Sequence, residues 1–151
     1  FLEATKTKSS VLSLVMDLGN PSPALGWGHQ ERQSLMERGP ADLVLSLALI
    51  HHLRISANVP MRKIAAFFAK VARNLIIEFV PKEDSQVQRL LQTRADTFAD
   101  YTEEAFMLAF SEHFDCLEVR ELPSSCRKLS LWRRHSCGGG AVCPDQKGDP
   151  Q

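Results

Sequence analysis

The chain has 151 residues, of which 44% are hydrophobic and 24% are charged, and this composition predicts one globular domain with a buried core. Because 18 basic residues balance 18 acidic residues, no positive excess supports a nucleic-acid partner or an anionic membrane surface. No apolar run approaches the roughly 20 residues that span a bilayer, and no secretion signal is present, so we expect a cytoplasmic protein without a membrane segment.

The cysteines are confined to the last third of the chain, at Cys116, Cys126, Cys137 and Cys143. None of them forms a Cys-x-x-Cys pair. In a cytoplasmic protein this pattern predicts free thiols, and we expect no metal site.

Three short apolar runs are interpreted as buried strands: Val11–Met16, Leu43–Ile50 and Leu75–Val80. A run without polar alternation fits a parallel strand that is covered on both faces. The first run ends at Asp17 and the second at the pair His51-His52. Since ligands of open α/β sheets lie beyond the carboxyl ends of the strands, these polar residues are the first candidates for a functional site.

Helical patterns separate the predicted strands. The clearest one follows Pro60, and its apolar face would consist of Met61, Ile64, Ala65, Phe68, Val71 and Ala72. Shorter helices are predicted over His29–Glu37, after a cap at Asp84 or Ser85, and after a cap at Thr102.

The end of the ordered chain is predicted to be an antiparallel hairpin, with strands Cys116–Leu122 and Arg127–Trp132. Residues 1–10 are expected to be a flexible lead-in and residues 135–151 a disordered tail, because neither segment shows periodicity. The order of elements predicts an α/β fold with a mostly parallel sheet between helical layers and an antiparallel edge.

This order, together with the sequence Ala-Leu-Ile-His-His-Leu at 48–53, resembles the second half of the class I S-adenosylmethionine-dependent methyltransferases. Many small-molecule methyltransferases of that family end their fourth strand in a similar sequence. The resemblance covers residues 11–134 and implies a three-layer, Rossmann-like methyltransferase fold that is truncated at its N-terminus. In the family's strand order, 3-2-1-4-5-7-6, the predicted strands would be the third to the seventh.

The resemblance implies which residues would bind S-adenosylmethionine. Asp17 would accept a hydrogen bond from the adenine amino group, and Leu18 would pack on the ring. Leu47, Ala48 and His51, at the end of the fourth strand, would lie near the methyl donor.

His51 and His52 are candidate catalytic residues, because imidazole titrates near neutral pH and can accept a proton from a nucleophile. The alternative is that they bind the loop backbone and shape the pocket. Glu78 interrupts an apolar run and is either a pocket acid or the partner of an arginine such as Arg73, since an unpaired buried acid is costly.

The sequence departs from the family ahead of Val11. Family members bind the methionine part of the cofactor with a glycine-rich turn after the first strand, and the ribose with an acid after the second. Neither precedes Val11, and Gly26-Trp27-Gly28 follows a proline loop rather than a strand. We therefore expect this chain alone to bind the cofactor weakly or not at all. Val11–Met16 would either pair with Leu43–Ile50 or leave a gap that another chain fills.

Two functions follow from this interpretation. The first is methyl transfer to an unidentified acceptor. The second is a non-catalytic half-domain that serves as an interaction module, and an exposed sheet edge would allow a homo-oligomer. A response-regulator-like domain is disfavoured, because no acidic pair precedes the sheet and no lysine ends a strand at the expected place.

Overall fold

The computed structural model describes residues 14–92 and 97–136. Within these ranges the strands are β1 (Ala41–Ser46), β2 (Ala72–Phe79), β3 (Phe114–Glu121) and β4 (Lys128–Arg134). The α-helices are α1 (Leu35–Arg38), α2 (Met61–Val71), α3 (Ser85–Leu91) and α4 (Glu103–Ser111). A short 3-10 helix covers Trp27–His29, and one π-helical turn covers His52–Ser56.

The strands form one mixed sheet in the order β1-β2-β4-β3. Strands β1 and β2 are parallel, and α2 connects them, whereas β4 is antiparallel to both of its neighbours. The predicted hairpin is confirmed. The expectation of a mostly parallel sheet is wrong for the described residues, because only one of the pairings is parallel.

The predicted helix after Pro60 is confirmed as α2, whose buried residues follow the predicted apolar face. The predicted caps of the next two helices are also confirmed. The Asp84 carboxylate accepts a hydrogen bond from the Gln86 amide at 2.8 Å, and the Thr102 hydroxyl accepts one from the Ala105 amide at 3.2 Å. Each cap satisfies an amide of the first helical turn that has no partner inside the helix.

The hydrophobic core lies on one face of the sheet. Trp132 of β4 is fully buried, and its ring centroid lies 6.0 Å from that of Phe106 and 5.8 Å from that of Phe110, both in α4. Helices α2 and α4 contact each other, so they cover the same face. Tyr101 closes this core, and its hydroxyl donates to the carbonyl of Val80 at 2.6 Å.

The opposite face of the sheet is open within the described residues. Leu43 and Leu45 of β1 point to this face and are 50% and 61% exposed. Strand β1 pairs with β2 on one side and with no described strand on the other. The predicted coverage of this strand on both faces is therefore not seen within the described residues, where β1 lies at the edge of the sheet.

The segment that precedes β1 also differs from its prediction. Residues 14–16 form no strand, the Val15 side chain is fully exposed, and residues 11–13 lie outside the described part. The described end of Val11–Met16 thus does not pair with β1. The predicted helix His29–Glu37 is reduced to α1, which begins at a capping box between Ser34 and Glu37.

The predicted flexible lead-in, residues 1–10, and all but the first two residues of the predicted disordered tail lie outside the described residues. Among the helices of the described part, none is both long enough and apolar enough to cross a bilayer.

Replacing Phe110 by alanine should lower the free energy of unfolding by about 3–5 kcal/mol, because the side chain is fully buried between the helices and the sheet. Urea denaturation followed by circular dichroism measures this change. The control Leu108→Ala removes a side chain of the same helix that is 64% exposed, and it should cost less than about 1 kcal/mol. Equal losses in the two variants would contradict this core.

Candidate functional site

A cavity of about 420 Å³ lies beyond the carboxyl end of β1, between the loop at 17–20 and the helical turn at 49–57. Two residues that were predicted from separate strand ends, Asp17 and His52, both line it. The other lining residues are Leu18, Gly19, Asn20, Leu49, Leu53, Ser56 and Ala57. The described structure therefore brings together three of the predicted site residues, Asp17, Leu18 and His52.

One carboxylate oxygen of Asp17 stabilises its own loop, and the other can accept a hydrogen bond from a ligand. Its Oδ1 atom accepts a hydrogen bond from the Gly19 amide at 2.8 Å, and the second oxygen has no hydrogen bond to any described residue. A Cβ atom on Gly19 would lie 2.9 Å from the Cβ of Ala57, so glycine permits the close approach of the two walls. The exposed carboxylate can therefore accept a hydrogen bond from a ligand.

The two histidines occupy different environments, although their ring centroids are 4.2 Å apart. His52 is exposed and lines the cavity, whereas His51 is 2% exposed and lies outside the lining. Burial, reinforced by the charges of His52 and Arg127, lowers the pKa of His51 to about 4. His51 is thus neutral at physiological pH and a weak base, so His52 is the histidine that can meet a ligand.

Leu47 and Ala48 do not line the cavity. Leu47 is 57% exposed just beyond β1. Ala48 has a left-handed backbone with φ of 49°, and its amide donates to Oε2 of Glu78 at 2.7 Å. This turn ends the strand at Ser46, earlier than the predicted Ile50, and starts the helical turn that carries His52.

A partly buried ionic network holds the strand ends together. Arg127, which immediately precedes β4, donates from Nη1 to Oε1 of Glu78 at 3.1 Å. The same guanidinium donates from Nε and Nη2 to the two oxygens of Asp84 at 2.7 and 3.2 Å. One cation therefore joins the end of β2 to the N-cap of α3, and through Glu78 it also reaches the Ala48 amide.

The charges of this network stabilise one another. Hydrogen bonds from Arg127 keep the pKa of Asp84 below its usual value, and the bonds to Asp84 and Glu78 raise the pKa of Arg127. The prediction that Glu78 pairs with an arginine is confirmed, but the partner is Arg127 and not Arg73, which binds Asp42 at 3.2 Å on the exposed surface.

A second arginine fixes the far side of the helical turn. Arg54 donates to the Asp100 carboxylate at 2.6 Å and to the Asn58 side chain at 3.1 Å, and its guanidinium lies 4.8 Å above the ring of Phe98. The turn itself is π-helical, with the Ala57 amide bonded to the His52 carbonyl at 2.9 Å. Single π-helical turns of this kind frequently occur at functional sites.

Arg127 was not predicted as a functional residue, because it lies in a turn without periodic pattern. The only available signal was that an acid within an apolar run requires a partner. In the described part of the chain, no group of three or more histidine, cysteine, aspartate or glutamate residues is arranged to hold a metal ion.

The Arg127→Gln variant should lose about 3–5 kcal/mol of unfolding free energy, because Glu78 and Asp84 would remain buried without their cation. Arg120→Gln is the matched control, since Arg120 pairs with Glu118 on the surface and should contribute less than about 1 kcal/mol. Chemical denaturation at neutral pH measures both. A loss in Arg127→Gln no larger than in the control would mean that the network does not stabilise the fold.

His51 should make the folded state less stable in acid. Between its unfolded pKa of about 6.5 and its folded pKa of about 4, the unfolded chain binds a proton that the folded chain does not. Stability should therefore fall as the pH decreases through this window, by up to about 3 kcal/mol from this group. Denaturation of wild type and His51→Phe at several pH values measures the difference, and His29→Gln, which changes an exposed histidine, should retain the wild-type slope. Identical slopes for wild type and His51→Phe would refute the assignment.

The chain is similar to the nodulation protein NoeA of Rhizobium meliloti (strain 1021), with 45% identity over 134 residues. The match covers 89% of the chain and 28% of NoeA, so the chain spans less than a third of that relative's length. No family model matches the chain, and no solved structure matches it. The functional assignment therefore rests on the topology of the sheet and on the residues of the cavity.

Proposed function

We propose that the chain is part of a class I S-adenosylmethionine-dependent methyltransferase domain, which transfers a methyl group to an unidentified acceptor. The strand order carries this proposal. The observed order β1-β2-β4-β3 agrees with the segment 4-5-7-6 of the family's sheet, in which the second strand of the terminal hairpin lies between the fifth and the sixth strands.

In this proposal the adenine part of S-adenosylmethionine would bind in the cavity. The unbonded oxygen of Asp17 could accept a hydrogen bond from the adenine amino group, and Leu18, Leu49 and Leu53 offer aliphatic surface to the ring. When bound, the cofactor supplies an electrophilic methyl group on a sulfonium. The cavity lining contains no second carboxylate for the ribose and no glycine-rich turn for the methionine part.

The donor-binding half would therefore come from residues outside this chain. The match spans 28% of NoeA, so a protein of that length contains enough further residues to form a donor-binding half outside the matched region.

His52 would act between the donor and the acceptor. Besides the first cavity, it lines a second one of about 470 Å³ together with Gln86, Arg89, Leu90 and Gln92. An acceptor in the second cavity would meet amide and guanidinium donors, and His52 could orient its nucleophile or take its proton. Methyl transfer depends mainly on such alignment. The Arg127 network supports this role, because it holds the turn that carries His52.

A non-catalytic half-domain is the second candidate function. The apolar side chains exposed on the open sheet face favour it, because an uncovered apolar surface marks an interaction site. Ligand binding at the cavity distinguishes the two functions.

Titration of the isotope-labelled chain with S-adenosylhomocysteine, followed by amide NMR, tests the methyltransferase proposal. We expect weak, saturable shift changes at residues 17–20 and at His52, and adenosine should bind with similar affinity because only the adenine side is held. Asp17→Ala should weaken binding at least about tenfold, since it removes a charged hydrogen-bond acceptor. Asp42→Ala, which removes an exposed carboxylate of β1, should bind like the wild type.

Equal binding by wild type and Asp17→Ala would contradict the methyltransferase proposal, and absence of saturable changes around the cavity would favour the non-catalytic half-domain.

A further inference from the structure

Helix α3 and its C-cap present a row of hydrogen-bond donors to the second cavity, the one of about 470 Å³ that His52 also lines. Gln86, Arg89 and Gln92 follow one another at intervals of three residues, so they lie along one side of the helix. All three line the cavity, together with His52 and Leu90. The lining contains no carboxylate, so the described residues present a cation and amide groups to a ligand.

The guanidinium of Arg89 is not neutralised by its own helix. The residues three and four positions away in the sequence are Ser85, Gln86, Gln92 and Thr93. None of them is acidic, so no ion pair along the helix competes with a ligand. Asp84, the N-cap of α3, already binds Arg127 through both of its oxygens. Arg89 is exposed, and it has no ion pair or hydrogen bond to any residue that the structure describes.

The glutamines of the row are also available to a ligand. Gln88, on another side of α3, donates its side-chain amide to the Lys82 carbonyl at 2.7 Å. The side chains of Gln86 and Gln92, in contrast, have no hydrogen bond to a described residue. A guanidinium has five N–H donors in a planar arrangement that matches two oxygens of a carboxylate or phosphate, and each amide adds two donors. The chemistry of the lining therefore favours an oxyanion.

We propose that the second cavity binds an oxyanion, a carboxylate or a phosphate, and that this group belongs to the methyl acceptor. The inference rests on the proposed function, which places the acceptor in this cavity. Arg89 pairs with two oxygens of the group, and the amides of Gln86 and Gln92 donate to it from either side. The cavity volume lies in the range of small-molecule sites, about 300–1,000 Å³.

This arrangement makes Arg89 a specificity-determining residue. His52 lines both cavities, so it lies between the donor and an acceptor whose oxyanion is held at Arg89. The reacting hydroxyl or amine of the acceptor then points towards His52. A molecule that carries the same nucleophile without the anion lacks this orientation, and methyl transfer depends mainly on orientation.

Titration of the isotope-labelled chain with inorganic phosphate, followed by NMR of side-chain N–H groups, tests the anion site. At constant ionic strength, we expect saturable shift changes at Arg89, Gln86 and Gln92 in the millimolar range. Arg89→Gln should raise the dissociation constant at least about tenfold, because it removes the charge and the paired donors. Arg38→Gln is the matched control, since Arg38 is an exposed arginine in the last turn of α1 and does not line the cavity. It should bind phosphate like the wild type.

A second titration identifies the source of the oxyanion, because the methionine part of S-adenosylmethionine also carries a carboxylate. Phosphate should bind equally well when S-adenosylhomocysteine saturates the first cavity, since the two cavities share only His52. Displacement of phosphate by S-adenosylhomocysteine, but not by adenosine, would assign the oxyanion site to the cofactor and overturn the inference.

The outcomes for the two cavities are separable. Absence of saturable changes at Arg89, or equal phosphate binding by wild type and Arg89→Gln, would overturn the inference and leave the methyltransferase proposal unaffected. Phosphate binding at Arg89, combined with equal S-adenosylhomocysteine binding by wild type and Asp17→Ala, would support the anion site and contradict the methyltransferase proposal. Circular dichroism checks that the variants are folded.

Discussion

The arrangement of the candidate site depends on one guanidinium between two buried carboxylates. Arg127 binds Glu78 and Asp84. The other oxygen of Glu78 accepts a hydrogen bond from the Ala48 amide and so stabilises the left-handed turn at Ala48. Through these bonds a single side chain from the hairpin connection fixes the ends of two parallel strands and the start of a helix. The helical turn that carries His52 follows directly after Ala48. The geometry of the cavity therefore depends on the bonds of Arg127 and Glu78, which do not line the cavity.

The elements that the sequence predicted well are those with local physical causes. The apolar face of α2, the caps Asp84 and Thr102 and the alternation of the hairpin depend on residues a few positions apart. Which elements pack on β1 depends on distant parts of the chain. A central strand and an edge strand can have the same apolar sequence. The run therefore predicted the strand, but it did not predict that the strand lies at the edge of the sheet formed by the described residues.

The candidate site also contains features that the sequence predicted and features that it did not. Asp17 and His52 were expected near one another because strand ends meet at one edge of a sheet, and they line one cavity. The sequence did not distinguish His51 from His52, since the difference between the adjacent rings arises from burial by the whole fold. Arg127 could not be found by pattern, because its partners lie more than forty residues earlier in the chain.

The central position of β4 has a consequence for synthesis on the ribosome. Strand β4 lies between β2 and β3, so the sheet of the described residues stays divided until residue 134 has emerged from the exit tunnel. Arg127 emerges just ahead of it, and until then Glu78 and Asp84 must remain hydrated. The nascent chain therefore completes its ionic network and its sheet in the same late step, and a ribosome-bound chain that ends before Arg127 and β4 would have neither.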